Sequence, residues 1–120
     1  MSGPARAHQP SGLHVLADLH GVAPALLADA AALDSLLRRA ALAAGAHILH
    51  GHLHHFGAGG GVTGVLLLAE SHLSIHTWPE AGYAAVDVFM CGAAQPQRAV
   101  DEIVQALAPC EARIRPIERA

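Results

Sequence analysis

The chain has 120 residues, enough for one hydrophobic core and too few for two, so the sequence predicts a single domain. Hydrophobic residues make up 52% and charged residues 14%, a balance typical of globular rather than disordered proteins. The net charge of -3 argues against a nucleic-acid-binding surface. No apolar run approaches the roughly 20 residues that a membrane-spanning helix needs, which argues against a membrane protein.

Residues 1–12 contain no hydrophobic signal core, so we expect them to form a flexible tail ahead of one domain at residues 13–120. The same feature favours a cytoplasmic protein. In that compartment Cys91 and Cys110 are expected to be free thiols.

All seven basic residues are arginine. The absence of lysine excludes catalysis through a lysine Schiff base, including the usual pyridoxal phosphate chemistry. An enzyme of this sequence that acts on amines through an imine must therefore obtain its carbonyl group from another source.

The first half of the chain predicts strand, helix and strand. Alternating apolar residues indicate a strand at residues 13–19. Pro24 suits the first turn of a helix, and apolar residues at steps of three and four predict one amphipathic helix that runs to Ala44 and ends at Gly45. Alternation returns at residues 46–55, with three histidines on one face (His50, His52 and His54) and Leu49, Gly51 and Leu53 on the other.

The second half predicts mostly strands. A glycine-rich loop at residues 57–61 leads to a nearly continuous apolar strand at 62–69, which we expect to pair with 46–55 as a hairpin. A short strand at 72–77 ends before Pro79. A strand over Tyr83–Cys91 places Asp87 and Cys91 on one face, opposite a core-facing row of Ala84, Val86, Val88 and Met90. Pro96 opens a second helix whose buried stripe is Val100, Ile103, Val104 and Leu107.

The last predicted strand, at residues 112–118, is expected at an edge because Pro116 fits poorly in a central strand. The order of elements predicts an α+β fold, a two-layer sandwich of an antiparallel sheet with helices on one face. Because such a sheet leaves one face uncovered in an apolar chain, we expect a homodimer.

Residues 69–80 concentrate the reactive chemistry of the chain and are the predicted functional site. They hold two histidines, two carboxylates, hydroxyl groups and the single tryptophan. Three aromatics and two carboxylates together suggest a pocket for a flat, cationic ligand, through cation–π contact and opposite charge: Phe56, Trp78, Tyr83, Glu80 and Asp87. The histidines of residues 50–54 offer an alternative, a metal site, since alternate histidines on a strand can converge on one ion. No carboxylate or cysteine lies near them in sequence, so we expect a polar strand face and no bound metal.

The sequence ESHLSIHTWPE at residues 70–80, followed by GYAAVDVF at 82–89 and by Cys91 and Gly92, closely resembles the prokaryotic S-adenosylmethionine decarboxylase proenzymes. The resemblance extends from about Leu13 to Cys91 and fades after it. It implies a backbone cut between Glu70 and Ser71, giving a β chain of residues 1–70 and an α chain of residues 71–120. Ser71 would become a covalent pyruvoyl group that forms an imine with the amine of the substrate.

The resemblance also assigns roles to individual residues. His76 matches the base of the processing reaction, Cys91 the proton donor of turnover, and Thr63 a hydroxyl residue that supports processing. Phe56 matches an aromatic that stacks on the substrate, and Glu80 a carboxylate for ribose hydroxyls. The implied substrate is S-adenosylmethionine, and the product would be the aminopropyl donor for spermidine synthesis.

Two alternative functions stay open. The first is a pyruvoyl-dependent decarboxylase of ornithine or arginine, because related proteins on this scaffold act on those substrates and the loop at 57–61 departs from the family pattern. The second alternative is a non-catalytic, histidine-rich metal-binding dimer.

The spacing of Ser71 and His76 raises a separate question. Five residues apart on a regular strand, they would lie on opposite faces and roughly 16 Å from each other. Either a turn intervenes, or the histidine that serves Ser71 belongs to a partner subunit. We favour the partner, with Thr63 and His76 of one chain facing Ser71 and Cys91 of the other.

Overall fold

A computed structural model describes residues 10–120; residues 1–9, which hold most of the predicted tail, lie outside that description. The elements in chain order are β1 (Gly12–His20), α1 (Pro24–Leu27), α2 (Ala30–Ala43), β2 (Ile48–His55), β3 (Val62–Leu68), β4 (Ser71–Trp78), a 3₁₀ turn (Pro79–Ala81), β5 (Tyr83–Cys91), α3 (Pro96–Leu107) and β6 (Glu111–Arg119). No helix in residues 10–120 has the length and apolar character needed to cross a membrane.

The strands form one antiparallel sheet in the order β2-β3-β4-β5-β1-β6. The predicted hairpin of β2 and β3 is present, and β6 lies at an edge, where Pro116 faces Val15 of β1. Together with α2 and α3 on one face of the sheet, this arrangement confirms the predicted two-layer α+β sandwich.

One face of the sheet, the core face, packs against the helices. Its side chains alternate along each strand, as the burial of Leu73 and Ile75 in β4 and of Ala84, Val86, Val88 and Met90 in β5 shows. The helices supply Leu33, Leu37, Val100 and Ile103 from their apolar stripes. Val104, predicted in the same stripe, is only partly buried. Burial of these apolar side chains is the main force that holds the two layers together.

The opposite face of the sheet, called here the free face, carries the polar and reactive side chains. Strand register brings into neighbouring positions the residues His14, Asp18, His54, Thr63, His72, Ser74, His76, Trp78, Tyr83, Asp87, Phe89 and Cys91. Asp87 and Cys91 therefore share a face, as the alternation of β5 predicted.

Two local predictions were wrong. The first helix is divided into α1 and α2, because the side chain of Asp29 accepts a hydrogen bond from the Ala32 amide at 3.0 Å and caps a new helix there. Leu49 was predicted to share a face with Gly51 and Leu53, which are partly buried, but Leu49 is 62% exposed. The register of β2 against β3 shifts between Ile48 and His50, which leaves Leu49 as the extra, unpaired residue of this irregularity.

Replacing Leu73 with alanine tests the packing of β4. Leu73 is fully buried, so Leu73→Ala should lower the free energy of unfolding by about 2–5 kcal/mol through lost apolar burial and the cavity left behind. Leu42→Ala is the matched control, since Leu42 is 65% exposed on α2 and its loss should change stability by less than about 0.5 kcal/mol. Urea unfolding midpoints measure both; equal effects would contradict the assigned core.

Candidate active site

The turn between β3 and β4 carries the predicted cleavage bond. Leu68 pairs with Ser71, so only Ala69 and Glu70 connect the two strands, and both are exposed. Glu70 has a φ of 57°, in the left-handed region that non-glycine residues rarely adopt. A residue held there stores roughly 1 kcal/mol or more of backbone strain. The Glu70–Ser71 peptide bond thus lies at the end of a tight, strained and accessible turn.

Ser71 and Cys91 are neighbours at this end of the sheet. The backbone amide of Cys91 donates a hydrogen bond to Ser71 Oγ at 3.4 Å. On the other side of Cys91, Gly12 of β1 packs so closely that an added Cβ would lie 3.0 Å from Cys91 Sγ and 2.6 Å from the Met90 carbonyl oxygen. The structure therefore places the predicted cleavage serine beside the backbone of the residue predicted to donate the proton, and Gly12 leaves room for the thiol of that residue. Glu70, Ser71 and Cys91 are called the serine group below.

Thr63 and His76 form a second pair, on adjacent strands. Their side chains face each other across β3 and β4, with Thr63 Oγ1 3.2 Å from His76 Nδ1. Buried Thr77 anchors the backbone beside them: its hydroxyl accepts from the Val62 amide at 2.8 Å and donates to the Leu27 carbonyl at 2.7 Å. This buried bridge between β3, β4 and α1 holds the Thr63–His76 pair in place.

The predicted substrate-binding aromatics lie near this second pair. Trp78 is 42% exposed and stacks with His76 at 6.3 Å and Tyr83 at 5.2 Å between ring centroids. Phe56 follows the end of β2, is 64% exposed and meets the His54 ring edge-on at 4.6 Å. The hydroxyl of Tyr83 donates to Asp18 at 2.6 Å, and this hydrogen bond raises the pKa of Tyr83.

The 3₁₀ turn after β4 presents the exposed carboxylate of Glu80 at the same end of the sheet. The residues at this end are called the histidine group: Phe56, Thr63, His76, Trp78 and Glu80.

The serine group and the histidine group lie at opposite ends of β4. That strand runs without interruption from Ser71 to Trp78, so no turn shortens the path between Ser71 and His76. Five residues of strand separate the two positions by roughly 16 Å. Within one chain, the predicted site residues therefore form two groups rather than one.

Asp87 lies between the two groups, on the free face of β5. Its carboxylate accepts hydrogen bonds from His14 Nε2 at 2.7 Å, from His72 Nε2 at 2.8 Å and from Ser74 Oγ. Burial raises the pKa of Asp87, but the hydrogen bonds from Ser74, His14 and His72 outweigh burial, and the net pKa is below its ordinary value of 3.8. The carboxylate is therefore ionised at neutral pH and already engaged by three donors.

Within residues 10–120, one set of three possible metal ligands has donor atoms within 4.8 Å of one another, and it is His14, His72 and Asp87. The predicted alternative at His50, His52 and His54 does not form such a set in this part of the chain. Those three side chains are exposed along an edge strand.

Sequence reasoning missed His14, His72 and Thr77. The alternation of β1 contained a signal for His14, because it places that residue opposite the core-facing side chains, as the alternation of β5 does for Asp87. The pairing of β1 with β5, which brings His14 opposite Phe89, follows from no local pattern. Thr77 is a buried polar residue whose partners lie far away in sequence, so its role was visible only in the structure.

Comparisons with known proteins show the family of the chain. Residues 13–120 match the model of the S-adenosylmethionine decarboxylase family. The chain belongs to this family. The match runs to the C-terminus and includes α3 and β6, beyond Cys91, where the sequence resemblance to the motif fades.

Individual relatives support the same assignment. An S-adenosylmethionine decarboxylase proenzyme of Pyrobaculum islandicum is 42% identical over 110 residues, which cover 91% of this chain and 88% of the relative. One of Moorella thermoacetica is 51% identical over 81 residues, covering 68% and 64%. The crystal structure of the adenosylmethionine decarboxylase from Aquifex aeolicus superposes with a TM-score of 0.82 at 41% identity, covering 91% of this chain and 90% of that one. The predicted family is confirmed.

The lowered pKa of Asp87 predicts a pH-dependent contribution to stability. Because the folded-state pKa lies below the unfolded-state value, the contribution is complete well above pH 3.8 and is lost as pH falls through the folded-state pKa. The Asp87→Asn variant should therefore be less stable than wild type at pH 7, and the difference should shrink toward pH 3. Urea unfolding across this range measures it.

Asp34→Asn is the control for this comparison. Asp34 pairs with Arg38 at 3.1 Å on the exposed surface of α2, where an ion pair contributes little to stability. A difference for Asp87→Asn that stays constant from pH 7 to pH 3 would contradict the assigned role of the carboxylate.

Proposed function

We propose that the chain is a self-processing, pyruvoyl-dependent decarboxylase of S-adenosylmethionine. The observation that carries the proposal is the placement of Ser71 directly after the strained Glu70, with its hydroxyl hydrogen-bonded to the backbone of Cys91. Family membership and the absence of lysine support it, because a decarboxylase without lysine needs a carbonyl of its own making. The product would serve as the aminopropyl donor for spermidine synthesis.

The residues at the turn fit the formation of a pyruvoyl group. Ser71 Oγ attacks the Glu70 carbonyl carbon, the Glu70–Ser71 C–N bond breaks, and the freed nitrogen takes a proton, which leaves an ester. A histidine then removes the Cα proton of residue 71, and the ester eliminates the Glu70 carboxylate. Water hydrolyses the resulting dehydroalanine, releasing ammonia and leaving the pyruvoyl group. His76, supported by Thr63, is the proposed base, since an imidazole exchanges protons near neutral pH.

In turnover, the pyruvoyl ketone supplies an electron sink for the carbon–carbon bond that breaks when carbon dioxide leaves. Cys91 holds the proton that the substrate carbon receives. Phe56 and Trp78 present ring faces to the adenine and the sulfonium cation, and Glu80 offers a carboxylate to the ribose hydroxyls. Asp87 contributes negative charge rather than a free acceptor, because its oxygens are engaged by neighbouring side chains.

A complete site requires two chains in this proposal. The serine group and the histidine group are roughly 16 Å apart along an unbroken strand, too far for His76 to reach the Cα of its own Ser71. The free face also exposes apolar side chains, with Leu67 at 49%, Trp78 at 42% and Ile117 at 44%. A two-fold axis between the free faces of two copies would cover this surface. Ser71 shares its side of β4 with buried Leu73 and Ile75 and lies at the first position of the strand, so the histidine group of one chain would reach the partner's serine group around the end of the sheet.

The function is tested by mass spectrometry of the purified protein combined with measurement of carbon dioxide release. Wild type should yield two chains, with the second beginning in a pyruvoyl group, whereas Ser71→Ala should remain a single 12.3 kDa chain without activity. S-adenosylmethionine, ornithine and arginine are assayed side by side, and we expect release from the first. An uncut and inactive wild-type chain would contradict the proposal and favour a metal-binding protein.

Cys91→Ala is the matched variant at the same end of the sheet. Relative to wild type, this variant should keep more of its self-cleavage than of its decarboxylase turnover, since Cys91 acts after the pyruvoyl group has formed. Equal losses of cleavage and turnover would show that this division of roles is wrong.

Mixed dimers test the composite site. Ser71→Ala and His76→Ala should each stay uncut alone, because one lacks the nucleophile and the other lacks the base. Co-expressed with tags of different mass, the His76→Ala chain should now be cut, because the Ser71→Ala partner supplies His76. Two outcomes would show that His76 does not act across the dimer: cleavage of the His76→Ala chain expressed alone, or no cleavage of that chain when it is co-expressed with Ser71→Ala.

A further inference from the structure

The hydrogen bonds of Asp87 join three strands beside the serine group. Asp87 is on β5, His14 is on β1, and His72 and Ser74 are on β4. His72 directly follows Ser71 in sequence. The Ser71 Oγ–Cys91 amide hydrogen bond also links β4 to β5, but the proposed cleavage consumes that hydroxyl. The Asp87 network begins one residue later, at His72, and keeps all of its groups after the cut.

Arg119 determines how His14 takes part in this network. The guanidinium group of Arg119 can only donate, and its Nη1 lies 3.2 Å from His14 Nδ1, so that nitrogen accepts and the ring proton is on Nε2. His14 Nε2 then donates to Asp87 at 2.7 Å. Arg119 also lies 5.6 Å from the centre of the Phe89 ring. A metal ion on Nε2 would need the proton on Nδ1, opposite a donor, so the cluster is better suited to hydrogen bonding than to metal binding.

Cleavage changes what holds Ser71 in place. In the uncut chain the two-residue turn connects Leu68 to Ser71 and fixes the start of β4. After the cut, residue 71 becomes a chain end, and Leu68 lies two residues from the other new end. Strand ends without a covalent continuation fray readily.

We propose that the His72–Asp87 hydrogen bond keeps the newly formed end of β4 in register beside Cys91 once the Glu70–Ser71 bond is broken. This inference rests on the proposed function and adds a positioning residue to it. Asp87 acts through His72 on the reacting group, with His14 and Ser74 holding the carboxylate. The bond matters little while the turn is intact and becomes necessary after cleavage.

The kinetic test compares Asp87→Asn, His72→Ala and His72→Gln with the control Asp34→Asn. Both Asp87→Asn and His72→Ala should be cleaved to within about threefold of the wild-type rate but lose turnover, with kcat falling on the order of 100-fold, as expected for a displacement of about 1 Å. For His72→Ala, KM should change far less than kcat, whereas Asp87→Asn should also raise KM because it removes a negative charge near the substrate. His72→Gln should recover most of kcat, since its amide N–H reaches a position close to that of His72 Nε2. If Asp87→Asn does not fold, the His72 pair gives the same comparison.

Amide hydrogen exchange at residues 72–75 gives a measurement independent of activity. Asp87→Asn should accelerate exchange there in the cleaved protein, but not in the uncut Ser71→Ala background. Equal acceleration of exchange in the cleaved protein and in the uncut Ser71→Ala background would overturn the positioning role. An unchanged kcat would overturn it as well. So would one equivalent of zinc that the wild type binds tightly and Asp87→Asn does not. A wild-type chain that stays uncut would overturn the proposed function as well, whereas unchanged exchange in a cleaved chain would overturn this inference alone.

Discussion

Strand β4 is continuous from Ser71 to Trp78, and the rest of the site depends on that continuity. A strand rises about 3.3 Å per residue, so an unbroken strand sets a fixed distance between any two of its side chains. Ser71 at one end and His76 toward the other are thereby assigned to separate groups of residues. A bulge or turn between them could bring the proposed nucleophile, Ser71, and the proposed base, His76, together in one chain. Without it, self-processing by these two residues calls for a second copy.

The two faces of the sheet divide structure from chemistry. The core face consists of apolar side chains packed on the helices, and the free face carries most of the ionisable and aromatic side chains in the middle of the chain. Because side chains alternate along a strand, each strand contributes to both faces at once. The same residues that build a stable layer thus present His76, Trp78, Asp87 and Cys91 on the other side. Polar groups on that face interact mainly with one another, as the hydrogen bonds of Asp87 and of the Thr63–His76 pair show.

The turn before β4 concentrates strain at a single accessible bond. Glycine would adopt the left-handed conformation of residue 70 without cost, whereas glutamate does not. Strain of this kind in an exposed two-residue turn fits the proposed cleavage, because breaking the Glu70–Ser71 bond would relieve it. The connections between β4 and its neighbours must then survive without the turn. The sheet hydrogen bonds and the Asp87 network are what remains to hold the start of the strand.

The sequence by itself determined the fold class, the boundaries of most strands and the family. Alternation with a period of two predicted β1, β2 and β5, and a nearly continuous apolar run predicted β3. The motif at residues 70–80 indicated the proposed cleavage serine because its unusual residue types lie consecutively in one segment. Capping by Asp29 and the bulge after Ile48 were missed, since each depends on one backbone contact rather than on a repeated pattern.

Only the tertiary structure decided which site residues meet. The hydrogen bond between His14 and Asp87 joins residues 73 positions apart in sequence, and the one between the Cys91 amide and Ser71 joins residues 20 positions apart. Contacts between residues so far apart in sequence depend on the order and register of the strands. Packing over the whole sheet sets that order and register, and no local segment does. The sequence therefore named Ser71, His76, Cys91 and Asp87, and it predicted the separation of Ser71 from His76 along a regular strand. Strand pairing decided that Ser71 meets Cys91 and that Asp87 meets His14 and His72.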